Sequence, residues 1–409
     1  MACFRITAAV LTVLFLTGYS FTQNVRLVLM ESATVVATQQ ENPPVQGTGS
    51  WPILYVDAEK GGSLVIKGVY TDGRRVKTPL RGVIPIWSPD GAWFAYATGE
   101  PAPGKTALKV MNLQEDVKTI FSTDKETIPF LSHPIWAPDG GRIAVILSGS
   151  PPSAFAVAVI DVREQKVRSR HELPARARTV NSVIEKPTKF RWSPDGRKIL
   201  LSWKTTVVMD TVTGAIETVA EEPILAEWAP TSDGVYYFDI QGTPRDLGVG
   251  DFHLKPLGAP KPIKVMDKEQ IKALGLGRQG LAYGLMTLSP KGSTLAIGGS
   301  SFPEKGAISV VYIYDLTDRR TVALDKPLKS FRTNGAIVAL EWAPDEASLA
   351  AAIVHDIPHS VVPELSIKLL NLRTEAWRTL AKVGEEAGGD FTELGLWYAW
   401  GHKSMSWTQ

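Results

Sequence analysis

The sequence predicts an all-β fold, a β-propeller of four-stranded antiparallel blades, on three observations. A tryptophan-centred hairpin recurs along the chain, a second pair of β-rich runs follows most copies, and the two strands missing from the last copy stand at the other end of the chain. Self-similarity at such a period is the signature of a repeat architecture.

The first hairpin strand ends in IWSPDG from Ile86, IWAPDG from Ile135, RWSPDG from Arg191, EWAPTSDG from Glu227, TLSPKG from Thr287 and EWAPDE from Glu341. An apolar or aromatic run follows each: WFAYAT from Trp93, RIAVIL from Arg142, KILLSW from Lys198, VYYFDI from Val235, TLAIGG from Thr294 and SLAAAI from Ser348. Proline removes a ladder donor and sets a turn-forming φ, aspartate hydrogen-bonds its own backbone, and glycine accepts the positive φ of a tight hairpin. The third and fourth strands are read in LKVMNLQEDVKTIF from Leu108, AVAVIDVREQKVRSR from Ala156, TVVMDTVTGAIETVA from Thr206, VVYIYDLTDRRTVAL from Val310 and IKLLNLRTEAWRTL from Ile367. Four antiparallel strands per repeat make a propeller blade.

A seventh copy is degenerate: WYAWGHKSMSWT from Trp397 carries Trp400 at the motif position and stops two strands short. SLVIKGVYTDGRRVKTPL from Ser63 supplies two strands at the other end, so the ring is expected to close by pairing N- and C-terminal strands, which removes free sheet edges. Seven blades are expected; the unplaced strand WPILYVDA from Trp51 leaves six or eight open.

The Trp-Ser/Ala-Pro-Asp-Gly hairpin followed by a β run resembles the WD40-like PD40 repeat of TolB-like β-propellers, over about residues 51–409. That family occurs mostly in exported bacterial proteins and in propeller domains attached to some serine peptidases. The resemblance implies the fold and a binding role in the cell envelope. Function, unlike fold, is decided at a site.

Export is expected independently. Ile6 to Tyr19 is an apolar run behind a single charge, Arg5, too short to cross a bilayer comfortably and typical of a signal peptide. Residues 1–20 are therefore read as a signal peptide or an anchor, 21–50 as a linker and 51–409 as the propeller. The sole cysteine, Cys3, lies in the signal, so the exported part has no disulfide. With 44 Lys and Arg against 42 Asp and Glu, no overall field attracts nucleic acid or an anionic membrane. Membrane contact is expected only through an uncleaved N-terminal segment.

Among 12 tryptophans, Trp87, Trp136, Trp192, Trp228, Trp342 and Trp400 occupy one repeat position and are assigned to blade-to-blade packing. The preceding residues, Ile86, Ile135, Arg191, Glu227, Thr287, Glu341 and Ala399, point the opposite way on the innermost strand. Arg191 and Glu227 are expected to pair across a blade interface, with ligand binding in the channel as the other use of Arg191, Glu227 and Glu341. Longer connections fall on one face, which makes it the candidate binding surface. The span Arg163 to Arg191, including Arg176 and Arg178, is rich in cations and suits an acidic partner. His355, Asp356, His359 and Glu364 cluster in a loop that Pro358 keeps from being a helix.

No nucleophile elbow, HExxH zinc motif, phosphate loop or EF-hand series is present. The expectation is an exported, monomeric, non-enzymatic scaffold, without metal or other cofactor, that binds a protein, peptide or cell-envelope polymer. The alternative is a propeller hydrolase or lyase acting on a sugar or lactone in the channel through acids such as Glu227 and Glu341.

Overall fold

The computed structural model describes residues 36–37 and most of 53–383. Residues 1–35, 38–52 and 384–409 lie outside the described residues, as do 99–105, 127–133, 175–188, 242–247, 274–284, 302–306, 317–326, 356–363 and shorter gaps. Trp400 and the C-terminal strands expected to close the ring belong to that group, as do Arg176, Arg178 and most of the long connections.

Seven four-stranded antiparallel sheets succeed one another, each with its strands in chain order. We number them blades 1 to 7. Their innermost strands are Val36–Ala37, Val83–Trp87, Ile135–Trp136, Lys189–Trp192, Pro223–Trp228, Leu285–Leu288 and Ala336–Trp342. Blade 1 takes its innermost strand from the span read as a linker, pairing Val36 with Leu54 and Ala37 with Ile53. The strand left unplaced from sequence, Ile53–Ala58, is the second strand of that blade.

The hairpin turns follow the chemistry of the motif. In blade 4 the Gly196 N–H donates to the Ser193 carbonyl at 2.9 Å with Gly196 at φ +68°. The Ser193 hydroxyl donates to Asp195 Oδ1 at 2.6 Å and accepts the Lys198 N–H at 2.9 Å. Blade 2 repeats this with Ser88, Asp90 and Trp93. Blades 5 and 7 place Ser232 (φ 62°) and Glu346 (φ 57°) where the other copies have glycine. Both are compensated by the preceding blade: Ser232 Oγ accepts the Asp195 N–H at 3.0 Å, and Glu346 Oε1 accepts the Lys291 N–H at 2.7 Å. The turns thus tie blade 5 to blade 4 and blade 7 to blade 6.

A second tie runs through the indoles. Trp136 Nε1 donates to the Ile86 carbonyl at 3.0 Å, Trp192 to Ile135 at 3.1 Å, Trp228 to Arg191 at 3.3 Å and Trp342 to Thr287 at 3.1 Å. Each acceptor is the innermost-strand residue just before the motif position of the preceding blade. The rings are buried, so the repeat tryptophans in the described blades do pack blade on blade. Around Trp192 the core is continuous from Ile143, Val145 and Val157 of blade 3 to Ile199, Leu201 and Val207 of blade 4.

The outermost strands carry exposed Lys118, Lys166, Arg168, Arg170, Lys264, Lys329 and Lys382, which discourage edge-to-edge pairing. A six-residue helix, α1 (Lys268–Ala273), follows blade 5. Asp267 Oδ1 accepts the N–H groups of Glu269 and Gln270, and Gln270 Oε1 accepts that of Asp267, a reciprocal cap. Among the described residues no helix is long and apolar enough to cross a membrane.

Trp342→Phe keeps most of the buried ring but strands the Thr287 carbonyl. It should lower unfolding free energy by about 1–3 kcal/mol, read as a lower urea midpoint at unchanged slope. Trp87 is the internal control, because its Nε1 is buried without a hydrogen-bond partner among the described residues. Trp87→Phe should cost measurably less; equal losses would show that ring volume, not the hydrogen bond, is what matters.

Candidate functional site

Side chains alternate along an innermost strand, so Phe190 and Trp192 enter the blade core while Lys189 and Arg191 face the channel. Blade 4 therefore sends two cations inward. Arg191 Nη2 donates to both carboxylate oxygens of Glu341, at 2.9 and 3.1 Å. Glu341 sits on blade 7, which is not a neighbour of blade 4 in the ring, so this pair bridges the channel. Lys189 Nζ donates to Glu227 Oε2 on blade 5 and, at 3.2 Å, to the Met286 carbonyl on blade 6. Glu227 Oε1 also accepts the Trp228 N–H at 3.0 Å.

Lys189 and Glu227 have side chains 2% and 3% exposed, Glu341 8% and Arg191 28%. Buried charges are costly unless paired and hydrogen-bonded; two cations facing two carboxylates meet that condition. Burial pushes the Lys189 amine down to about 8, with Glu227 holding it from falling further. Burial pushes the Glu227 carboxyl up, but Lys189 and Arg191 outweigh it and leave it below the usual carboxylate range. For Glu341 burial wins over Arg191, and its carboxyl is raised. Thr287, at the same repeat position on blade 6, is 1% exposed, and its Oγ1 has no hydrogen-bond partner among the described residues. Ile86 and Ile135, at that position on blades 2 and 3, are buried.

The structure thus brings together Arg191, Glu227 and Glu341, but with different partners from those expected. Arg191 takes Glu341, and Glu227 is taken by Lys189, a residue the sequence reading did not single out. The signal was available: Lys189 stands two positions before Arg191 and so shares its face. The basic span from Arg163 also divides. Lys166, Arg168 and Arg170 lie on the outermost strand of blade 3, where Arg168 pairs with Asp161 and Arg170 with Glu126, whereas Lys189 and Arg191 end in the channel. In the histidine-bearing loop His355 Nε2 lies 2.8 Å from Ser366 Oγ, and His355 is the register partner of Glu364; Asp356 and His359 lie outside the described residues. A pair not expected from sequence joins His253 Nε2 to Asp239 Oδ2 at 2.8 Å in blade 5, with the imidazole stacked on Tyr237.

No family model and no curated protein matches the chain. Solved structures do. An oligogalacturonate lyase in complex with manganese aligns with TM-score 0.52 at 13% identity, over 86% of each chain. A structure from a study of two prolyl endopeptidases aligns with TM-score 0.52 at 12% identity, over 87% of this chain and 50% of that one. The Pyrococcus horikoshii acylaminoacyl peptidase aligns with TM-score 0.52 at 11% identity, over 87% and 53%. The chain spans about half the length of these two peptidases. These likenesses define the class: the chain is a β-propeller, with seven four-stranded blades among the described residues.

The non-enzymatic scaffold expected from the sequence is overturned. The similar propellers belong to a lyase and to peptidases. The channel holds two ion pairs, Arg191 with Glu341 and Lys189 with Glu227.

Lys189→Met leaves Glu227 buried without its cation and should cost about 3–5 kcal/mol in urea unfolding. Adding Glu227→Met removes the stranded charge, and the double variant should recover most of that loss. A double variant as unstable as the sum of the singles would mean that the two residues are not coupled.

Proposed function

We propose that this chain is a propeller hydrolase or lyase acting on a sugar or lactone held in the central channel. The observation that carries this reading is the convergence of Lys189, Arg191, Glu227 and Glu341 from three blades, with one base and one acid shifted toward neutrality. Groups tuned in this way are what proton-transfer chemistry at ordinary pH requires. Lys189, its amine pushed down to about 8, takes a proton from water or from a substrate carbon. Glu341, its carboxyl raised by burial, returns a proton to the leaving oxygen. Arg191 stabilises negative charge that develops on the substrate, and Glu227 holds Lys189 in place. The likeness to an oligogalacturonate lyase supports the substrate class at the level of fold. The apolar run Ile6 to Tyr19 and the resemblance to TolB-like PD40 repeats support a site of action outside the cytoplasm.

The test is turnover of a panel of lactones, aryl glycosides and oligouronides by the purified chain. At least one class should be turned over, with a rate that rises through about pH 8 as Lys189 loses its proton. Lys189→Met should lower kcat by about 10²–10⁴. The reading fails if no class is turned over, or if a folded Lys189→Met variant, checked by circular dichroism, keeps the wild-type rate.

A further inference from the structure

Both indole ties that the innermost strand of blade 1 should make are missing among the described residues. Its register places Ala37 opposite Ile53, which pairs with Val69, just as Trp87 stands opposite Phe94, which pairs with Met111, in blade 2. Ala37 therefore occupies the motif position, and Val36 the acceptor position before it. Ala37 has no indole to reach back to blade 7, and Trp87, whose indole should reach Val36, keeps a buried Nε1 without a hydrogen-bond partner. The strand is also supplied differently. In blades 2 to 7 the innermost strand follows the outermost strand of the preceding blade, and a short turn, such as residues 137–141, leads to the second strand. Val36–Ala37 instead precede their whole blade and are separated from Ile53–Ala58 by residues 38–52. The strand that chain order assigns to this position lies beyond Ala376–Val383 of blade 7, where the seventh copy of the motif carries Ala399 and Trp400.

We infer that the innermost position of blade 1 is a strand-exchange site, held by Val36–Ala37 in the full chain and taken by the segment around Trp400 when that N-terminal strand is withdrawn. Ala399 then stands opposite Leu54, and Trp400 opposite Ile53. The Ala399 carbonyl accepts the Trp87 Nε1–H. The Trp400 Nε1–H goes to the carbonyl of Glu341, the residue before the motif position of blade 7. A buried donor left unpaired is costly, so the exchange is favoured by the bond that Trp87 gains and by the indole area that Trp400 buries. It also ties blade 7 to blade 1 and fixes the backbone of a channel acid. Ala37 is a small residue of the kind that precedes a signal-peptidase cut, so removal of an export segment at that point would complete the ring. The exchange stands apart from any activity of the channel.

The experiment uses the full chain with a protease site inserted between Gln39 and Gln40, and with Cys3→Ser to remove the sole cysteine. Leu54→Cys and Ala399→Cys are then added as a pair. Residues directly opposite in an antiparallel ladder lie about 4.5–5.5 Å apart at Cα, within disulfide reach. After the cut, and gel filtration to remove the N-terminal piece, mild oxidation should join the two introduced thiols, read by mass spectrometry. Before the cut they should stay reduced. Without the introduced pair, Trp87→Phe should shift the urea midpoint little before the cut and as much as Trp342→Phe after it. A disulfide as abundant in the uncut chain as in the cut one overturns the exchange, and no disulfide after the cut overturns the occupant. A Trp87→Phe shift that the cut does not enlarge overturns the hydrogen bond, whether or not the cysteine variants fold. Unfolding of the Cys3→Ser chain on cutting would show Val36–Ala37 to be irreplaceable and overturn the proposal outright.

Discussion

The hydrogen bond from an indole to a carbonyl of the preceding blade fixes where everything in the channel stands. Its acceptors are the carbonyls of Ile86, Ile135, Arg191 and Thr287; the side chains of Ile86 and Ile135 join the core between blades, and that of Arg191 reaches across the channel to Glu341. At Arg191 one strand position thus does two jobs: its carbonyl locks the next blade, and its side chain crosses the channel. Trp228 holds the backbone of Arg191, and Trp342 holds that of Thr287. Because a buried carbonyl left unpaired is costly, the register of neighbouring innermost strands is set at each of these interfaces. The turns add a second lock on the outside of the same strands, through Ser232 and Glu346.

That rigidity is what allows four charges to lie in a nearly closed channel. Lys189 and Arg191 come from one strand two residues apart, and they reach carboxylates on two different blades. Displacing either blade would break a desolvated pair, so the cluster and the ring hold each other. Burial sets the proton affinities in opposite senses: it lowers Lys189 and raises Glu341. The same burial that makes the cluster expensive gives it a base lowered to about 8 and an acid raised above its ordinary range.

Much of the architecture was legible in the sequence because a propeller repeats both its turn and its tryptophan. The motif Trp-Ser/Ala-Pro-Asp-Gly marks the hairpin, and strand alternation places Arg191, Glu227 and Glu341 on the channel face. The pairings were not legible. Alternation says which way a side chain points but not how far a long one reaches, so Arg191 looked like a partner for its neighbour Glu227 rather than for Glu341 across the channel. Lys189 was hidden by being read as part of a basic loop, a charge count that ignores which residues enter a strand. The innermost strand of blade 1, Val36–Ala37, carries no motif at all. Ser232 and Glu346 at positive φ escaped notice because the compensating bonds come from the preceding blade.

The central claim is that Lys189 is a buried amine poised to exchange its proton rather than a permanently charged half of a staple. The ¹⁵N shift of its Nζ in protein labelled at lysine, assigned with Lys189→Met and followed against pH, tests this directly. The account predicts a midpoint near 8. A lysine still protonated at its ordinary value near 10.5 would contradict it.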